Sequence, residues 1–235
     1  MDVVMQSFPV LLMGALATLE VSLISIVLGC IIGLVVGLSR LSRVRPLRMV
    51  ARAYVDFFRG TPLLVQIMII YFGLPIPQFI RDSQAYLMEN FYLPGFLTGH
   101  TLDVFLSGVI ACSLNAGAYI AEIFRAGIQS IERGQVEAAR SLGMTAGQAM
   151  RYVVLPQAVK RVIPPLGNEF IALLKDTSLL SVIGFAELTR RGQLVVGQTY
   201  VAFPVWLAVA FLYLAMTFGI SRLVDYSERR LKTGD

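Results

Sequence analysis

The chain has 235 residues, of which 56% are hydrophobic and only 15% charged, with a net charge of +5. Soluble domains carry about 25% charged residues, so this composition, with a mean hydropathy of +0.71, excludes an ordinary soluble enzyme or binding domain. The basic surplus does not indicate a nucleic-acid partner, because the Lys and Arg residues alternate with long hydrophobic runs.

In chain order, the residues before Glu20 lack the positive region of a cleavable signal, so the first hydrophobic run is expected to stay and insert. That run, 21–39, has no charge over 19 residues and is apolar back to Phe8. Gly29, Gly33 and Gly37 recur every four residues in it, a face that permits close helix approach. Glu20 lies at its outer end, facing either the headgroups or a vestibule.

A lead-in helix over 49–58 follows, then Gly60 as a break. Thr61 reads as an N-cap and Pro62 as the first helical residue of a second span, 62–79. Residues 75–103 contain Pro75, Pro77, Pro94 and three acids and read as an external excursion. His100 within it reads as a solvated loop histidine, since a metal site needs several ligands. The third span is 104–120. Asn115, Tyr119 and Glu122 form one polar stripe on it at i, i+4, i+7. The stripe is expected to face the protein interior, with Glu122 pairing with Arg125. Cys30 and Cys112 both lie inside apolar runs, which supports neither a disulfide framework nor a zinc site.

Residues 131–142 read as a short helix that stops at Gly143, because glycine accepts the left-handed conformation there. Thr145 with Gln148 matches a capping box. The second helix is expected to end near Leu155, because Pro156 disfavours helix in the residue before it. A fourth span, 158–180, is interrupted by Pro164, Pro165 and Gly167. The fifth is 203–220, with Tyr200, Phe203 and Trp206 as an aromatic belt at its outer start.

Of the 20 basic residues, 16 fall between Arg40 and Arg59, between Arg125 and Arg161, or between Arg222 and Lys232. Lys and Arg concentrate on the cytoplasmic side. The expectation is an all-α integral membrane protein of five transmembrane helices, N-terminus outside and C-terminus inside, forming one transmembrane domain over 1–235.

That orientation puts the segment "EAARSLGMTAGQAMRYVVLPQA" (137–158) beneath the bilayer as a two-helix elbow. On local chemistry it is either a cover for helix ends or a partner surface, and a long loop with its own structure is usually functional. Glu137, Ala138, Ala139, Gly143, Leu155 and Pro156 resemble the signature of permease subunits of bacterial ABC importers. "FFRGTPLLVQ" (57–66), "NAGAYIAEIFRAGI" (115–128), "GQVEAARSLGM" (134–144), "VLPQA" (154–158) and "LLKDTSLLSVIG" (173–184) together resemble the polar amino acid uptake group, which serves histidine, glutamine, arginine and glutamate. The likeness covers about residues 8 to 226. It implies the type I importer permease fold, with the 131–156 region as a coupling segment that docks into a separate ATPase subunit. It also implies a second permease subunit, identical or related, an extracytoplasmic amino-acid-binding protein, and a multi-pass place in the lipids of the bacterial inner membrane.

Ionisable groups inside a membrane are functional candidates by default. Asn168, Glu169, Lys175 and Asp176 are therefore the substrate-binding candidates, beside a Pro-Pro-x-Gly break that would free backbone groups. Helical spacing pairs Asn168 with Lys175 and Glu169 with Asp176. The alternative for Lys175 and Asp176 is mutual neutralisation. None of Lys160, Lys175 and Lys232 follows a glycine, so no phosphate-binding loop is available. The reading is a transport subunit rather than an enzyme, with no catalytic residue, cofactor or metal, and with ATP hydrolysed by a partner. An ABC permease for another small solute is the nearer alternative. An ion-gradient-driven carrier is the more distant one, disfavoured because no internal repeat is visible.

Overall fold

A computed structural model describes residues 2–74 and 102–232, and every regular element among them is helical. The expected excursion over 75–103, with His100, lies almost wholly outside the described residues. α1 (Asp2–Leu41) is followed by α2 (Arg45–Gly60) and by α3 (Leu63–Met68), which continues as a π turn, Ile69–Gly73. α4 spans Leu102–Gln129 and α5 Arg133–Ser141. The short α6 (Ala146–Ala149) leads through a second π turn, Met150–Val154, into α7 (Leu155–Asp176) and a 3-10 segment, Thr177–Ile183. α8 (Leu188–Thr199) and α9 (Ala202–Lys232) complete the chain.

α4 is the centre of the molecule: 78% of its most apolar stretch is buried, against 11% for α9, which lies at the periphery. The main core gathers Val21, Ile67, Phe105, Cys112, Ile120 and Leu180 around it. α1 packs along α4 through the glycine face. A Cβ on Gly33 would sit 2.6 Å from Ile120 Cγ2, and one on Gly37 2.9 Å from the Ala121 carbonyl oxygen. Any side chain there would push the two helices apart.

α1, α4 and α9 are each long and apolar enough to cross a membrane, and α2 with α3 qualifies as one pair bent by 107°. α7 is not among them. It carries Lys160, Arg161, Glu169, Lys175 and Asp176 within 22 residues.

Local expectations differ from the structure in three places. Thr61 is not the N-cap of α3. Pro62 takes that position and Leu63 starts the helix, while Gly60 is the last residue of α2. The Thr61 hydroxyl instead donates to the Phe57 carbonyl at 2.8 Å. The second elbow helix does not end near Leu155: that residue is helical (φ −60°, ψ −44°), and the chain runs on into α7. Pro156 sits in the first turn of α7, where a missing N–H is tolerated, and the wide turn before it absorbs the mismatch. Nor do Pro164 and Pro165 break α7. Gly167 serves packing rather than a break, since a Cβ there would lie 2.3 Å from Val224 Cγ2 of α9. Close helix neighbours support a proline-bearing helix in this way.

Candidate functional site

The two ends of α7 carry the two groups of residues singled out in the sequence. Its upper half faces the break between α2 and α3. The bend leaves carbonyls at the end of α2 without helical partners, and two buried amides answer them. Gln66 Nε2 donates to the Phe58 carbonyl at 2.9 Å, the Thr61 carbonyl at 3.0 Å and Thr61 Oγ1 at 2.9 Å. Asn115 Nδ2 of α4 donates to Gln66 Oε1 at 2.9 Å and to the Phe58 carbonyl at 3.3 Å. Tyr54 Oη donates to the Leu114 carbonyl at 2.6 Å, tying α2 to the same turn of α4.

Beside this frame lies a recess of about 610 Å³ that includes Arg59, Thr61, Asn115, Tyr119, Glu169 and Asp176 in its lining. The seven-residue spacing does bring Glu169 and Asp176 into one wall. Asn168 and Lys175 are exposed and do not line it. The Arg59 guanidinium stands over the Tyr119 ring, 5.3 Å from its centroid. The recess thus holds one cation, two carboxylates, an amide and a phenol. That set can bind a small zwitterion through both its carboxylate and its ammonium.

The polar stripe on α4 faces the interior only in part: Asn115 is buried and Glu122 half-buried, whereas Tyr119 is exposed toward the recess. Asn115 bonds within the frame, and Glu122 pairs with both Arg125 and Arg40 of α1. Gln66 and Arg59 had not been singled out. Their signals were present: Gln66 is an amide among Leu63, Leu64, Val65 and Ile67, and Arg59 precedes the Gly60–Pro62 break.

The lower end of α7 joins the elbow. α5 ends in a Schellman motif: the Met144 N–H donates to the Ala139 carbonyl at 3.2 Å and the Gly143 N–H to the Arg140 carbonyl at 3.1 Å. Gly143 has φ +85°, the conformation expected from the sequence. The capping box is also present, with Gln148 N–H donating to Thr145 Oγ1 and Thr145 N–H to Gln148 Oε1. Glu137 and Ala138 are exposed, whereas Ala139 is buried, so only the first of the two alanines is presented outward. Leu142 is 82% exposed at the tip. Leu155 and Pro156 are exposed at the start of α7. Gln157 Nε2 donates to Gln135 Oε1 and Arg161 Nη1 to the Ser130 carbonyl, which fastens the chain before and within α5 to α7.

Comparison with known proteins places this arrangement. Residues 25–233 match the family described as binding-protein-dependent transport system inner membrane component. The glutamine transport system permease protein GlnP of Escherichia coli (strain K12) is 39% identical over 226 residues, covering 96% of this chain and 94% of that protein. The L-cystine transport system permease protein TcyB of Bacillus subtilis (strain 168) is 42% identical over 232 residues, covering 98% and 90%. Among solved structures, an amino acid ABC transporter with histidines is 41% identical, covers 96% of each chain and superposes with a TM-score of 0.82. The inward-facing MetNI methionine ABC transporter, at 22% identity, 96% and 98% coverage and a TM-score of 0.74, shows likeness of fold alone. The helices described above therefore form a type I ABC permease fold.

Proposed function

Since the chain belongs to the binding-protein-dependent transport system inner membrane component family, we propose that it is the permease subunit of an ABC importer for polar amino acids. Relatives named for glutamine and L-cystine transport support the substrate class. In this reading α1, the bent α2–α3 pair, α4, α7 and α9 make five crossings of the bacterial inner membrane, with the N-terminus outside and the C-terminus inside. Two such subunits enclose the path, an extracytoplasmic binding protein delivers the amino acid, and separate ATPase subunits hydrolyse ATP below.

One observation carries the mechanism: α7 is a single continuous helix from the elbow to the recess. Its 22 residues span about 33 Å at 1.5 Å per residue. A displacement of the elbow by an ATPase subunit reaches Glu169 and Asp176 as a rigid-body movement, without passing through a flexible joint. Glu137, Ala138 and Leu142, with Gly143 setting the turn, present the docking face. Buried Ala139 holds that face to the body of the protein, and exposed Leu155 and Pro156 extend the coupling surface to the start of α7. In the recess, Arg59 takes the substrate carboxylate, while Glu169 and Asp176 take the ammonium. Asn168 and Lys175, one helical face away, are assigned to the mouth of the path, where a second subunit faces them.

The test is reconstitution of the permease with its ATPase and binding protein in liposomes. ATP hydrolysis is then measured against a panel of amino acids. Several-fold stimulation by one or a few polar amino acids is expected, and a flat response overturns the substrate class. Orientation is read separately. A Ser141→Cys variant should resist a membrane-impermeant thiol reagent in intact cells and react after permeabilisation; labelling in intact cells would reverse the topology.

A further inference from the structure

Tyr119 lines the recess, yet neither the amide frame nor the charged wall accounts for it. It stands four residues after Asn115 on α4, one turn along the same helix face. Asn115 Nδ2 holds the carbonyl of Phe58, the residue before Arg59. The Tyr54 hydroxyl ties α2 to the carbonyl of Leu114, beside Asn115. The backbone that carries Arg59 is therefore fixed against α4. The Tyr119 ring meets the other end of the side chain, with the guanidinium carbon 5.3 Å from its centroid. One face of α4 thus holds the arginine at two points, its backbone and its charged end.

The kind of partner matters. Among the described residues Arg59 makes no hydrogen bond and no ion pair, although Glu169 and Asp176 line the same recess. A carboxylate or a carbonyl partner would occupy its N–H donors. An aromatic face attracts the cation through the ring quadrupole and leaves the fork of donors for a ligand. A guanidinium fork matches a carboxylate in a bidentate pair.

We propose that Tyr119 is a positioning residue of the recess: its ring holds the Arg59 guanidinium so that the free fork meets the substrate carboxylate. The proposal rests on the reading that Arg59 takes that carboxylate. An arginine loose in the recess would have to be ordered by each incoming substrate, and ordering it beforehand lowers the cost of binding. The benefit goes only to ligands that bring a carboxylate. A ligand that keeps the ammonium and lacks the carboxylate gains nothing from the ring.

The experiment is equilibrium dialysis of the purified complex, permease with ATPase and without the binding protein. The probes are radiolabelled L-glutamine, L-arginine, L-histidine, L-glutamate and L-cystine, and the α-amide of each. Tyr119 is exposed, so its replacement should leave the fold intact, with the melting temperature as the check. Tyr119→Leu should weaken binding of the amino acid about fivefold, by loss of the cation–π contact. Tyr119→Phe keeps the ring and should stay within about twofold of wild type. The α-amide should bind wild type and Tyr119→Leu alike. Added to Arg59→Gln, Tyr119→Leu should weaken binding no further, because the two act as one unit. Equal loss for the amino acid and its amide means a structural role and overturns the proposal. Loss in Tyr119→Phe as large as in Tyr119→Leu puts the role on the hydroxyl and also overturns it. Full binding by Tyr119→Leu where Arg59→Gln has lost it overturns this proposal alone. Full binding by Arg59→Gln, or no binding of any amino acid by wild type, overturns the reading on which the proposal rests, and the proposal with it.

Discussion

The two ends of α7 are built on opposite principles. At the elbow, the Schellman motif and the capping box satisfy the turn from within, so Glu137, Ala138 and Leu142 have no structural duty toward the rest of the chain and are left exposed. At the recess, the frame amides are buried and charged groups of both signs line one cavity. A self-sufficient turn with outward side chains suits a protein partner, which can grip it without unfolding it. A recess lined by charges of both signs suits a small ion that brings its own countercharges. Under the proposed function, the difference lets one rigid helix serve two kinds of partner.

The comparison breaks most decisively at the recess. Glu169→Gln combined with Asp176→Asn removes both carboxylates of the recess, which are proposed to take the substrate ammonium, while keeping the volume. Loss of charge-assisted contacts at about 1.5–3 kcal/mol should reduce uptake by about 100-fold. Binding of the ATPase to the elbow should be unchanged, as measured by co-purification. If uptake persists at the wild-type rate, the recess is not the path.

The frame behind the recess comes next. Gln66→Leu leaves the Thr61 carbonyl without its side-chain donor and takes one of two partners from the Phe58 carbonyl, Thr61 Oγ1 and Asn115 Nδ2. Buried groups left unsatisfied cost about 1–3 kcal/mol each, so thermal stability of the purified protein should fall markedly. Gln66→Glu should be intermediate, since it keeps an acceptor for Asn115 and loses the donors. An unchanged melting temperature in Gln66→Leu would show that the bend is held by packing alone.

At the elbow, Gly143→Val tests conformation without crowding. No atom lies within 4 Å of the position a Cβ would take, yet φ is +85°. The left-handed region costs an L-residue roughly 1–2 kcal/mol, and more when it is β-branched. ATPase association should weaken about tenfold by that cost, and Gly143→Asn should restore most of it. Equal behaviour of the two variants would mean that the turn is not what the partner reads.

How much of this was legible follows the same division. The elbow could be read closely, because caps and glycine stops are local: Gly143, Thr145 and Gln148 lie within six residues and fix one another. The glycine face of α1 was legible for a related reason, as its period matches the helix on which it lies. The recess was half legible. Spacing placed Glu169 with Asp176, but Arg59 and Gln66 come from a bend whose sharpness, 107°, no single residue encodes. The proline rule misled at Leu155 and at Pro164–Pro165, where packing of α7 against its neighbours outweighs the local preference. Gly167 shows the reason: what looks like a breaker in sequence is the point at which α9 approaches.

The smallest effect belongs to the join between the two ends. Gln157 of α7 donates to Gln135 of α5 and also to the Val153 carbonyl at 2.9 Å. The Gln135 contact is exposed, so water can replace it, and its net worth is about 0.5–1 kcal/mol. Gln157→Ala should leave uptake within about fivefold of wild type, the factor that such an energy allows. The informative quantity is the amount of amino acid imported per ATP hydrolysed. If α7 is the lever, loosening its tie to α5 lets the elbow move without the recess, and this ratio falls while hydrolysis is unchanged. A parallel fall in both would mean that Gln157 only supports the ATPase contact. An unchanged ratio would mean that the Arg161–Ser130 bond and the backbone of the π turn suffice to carry the movement.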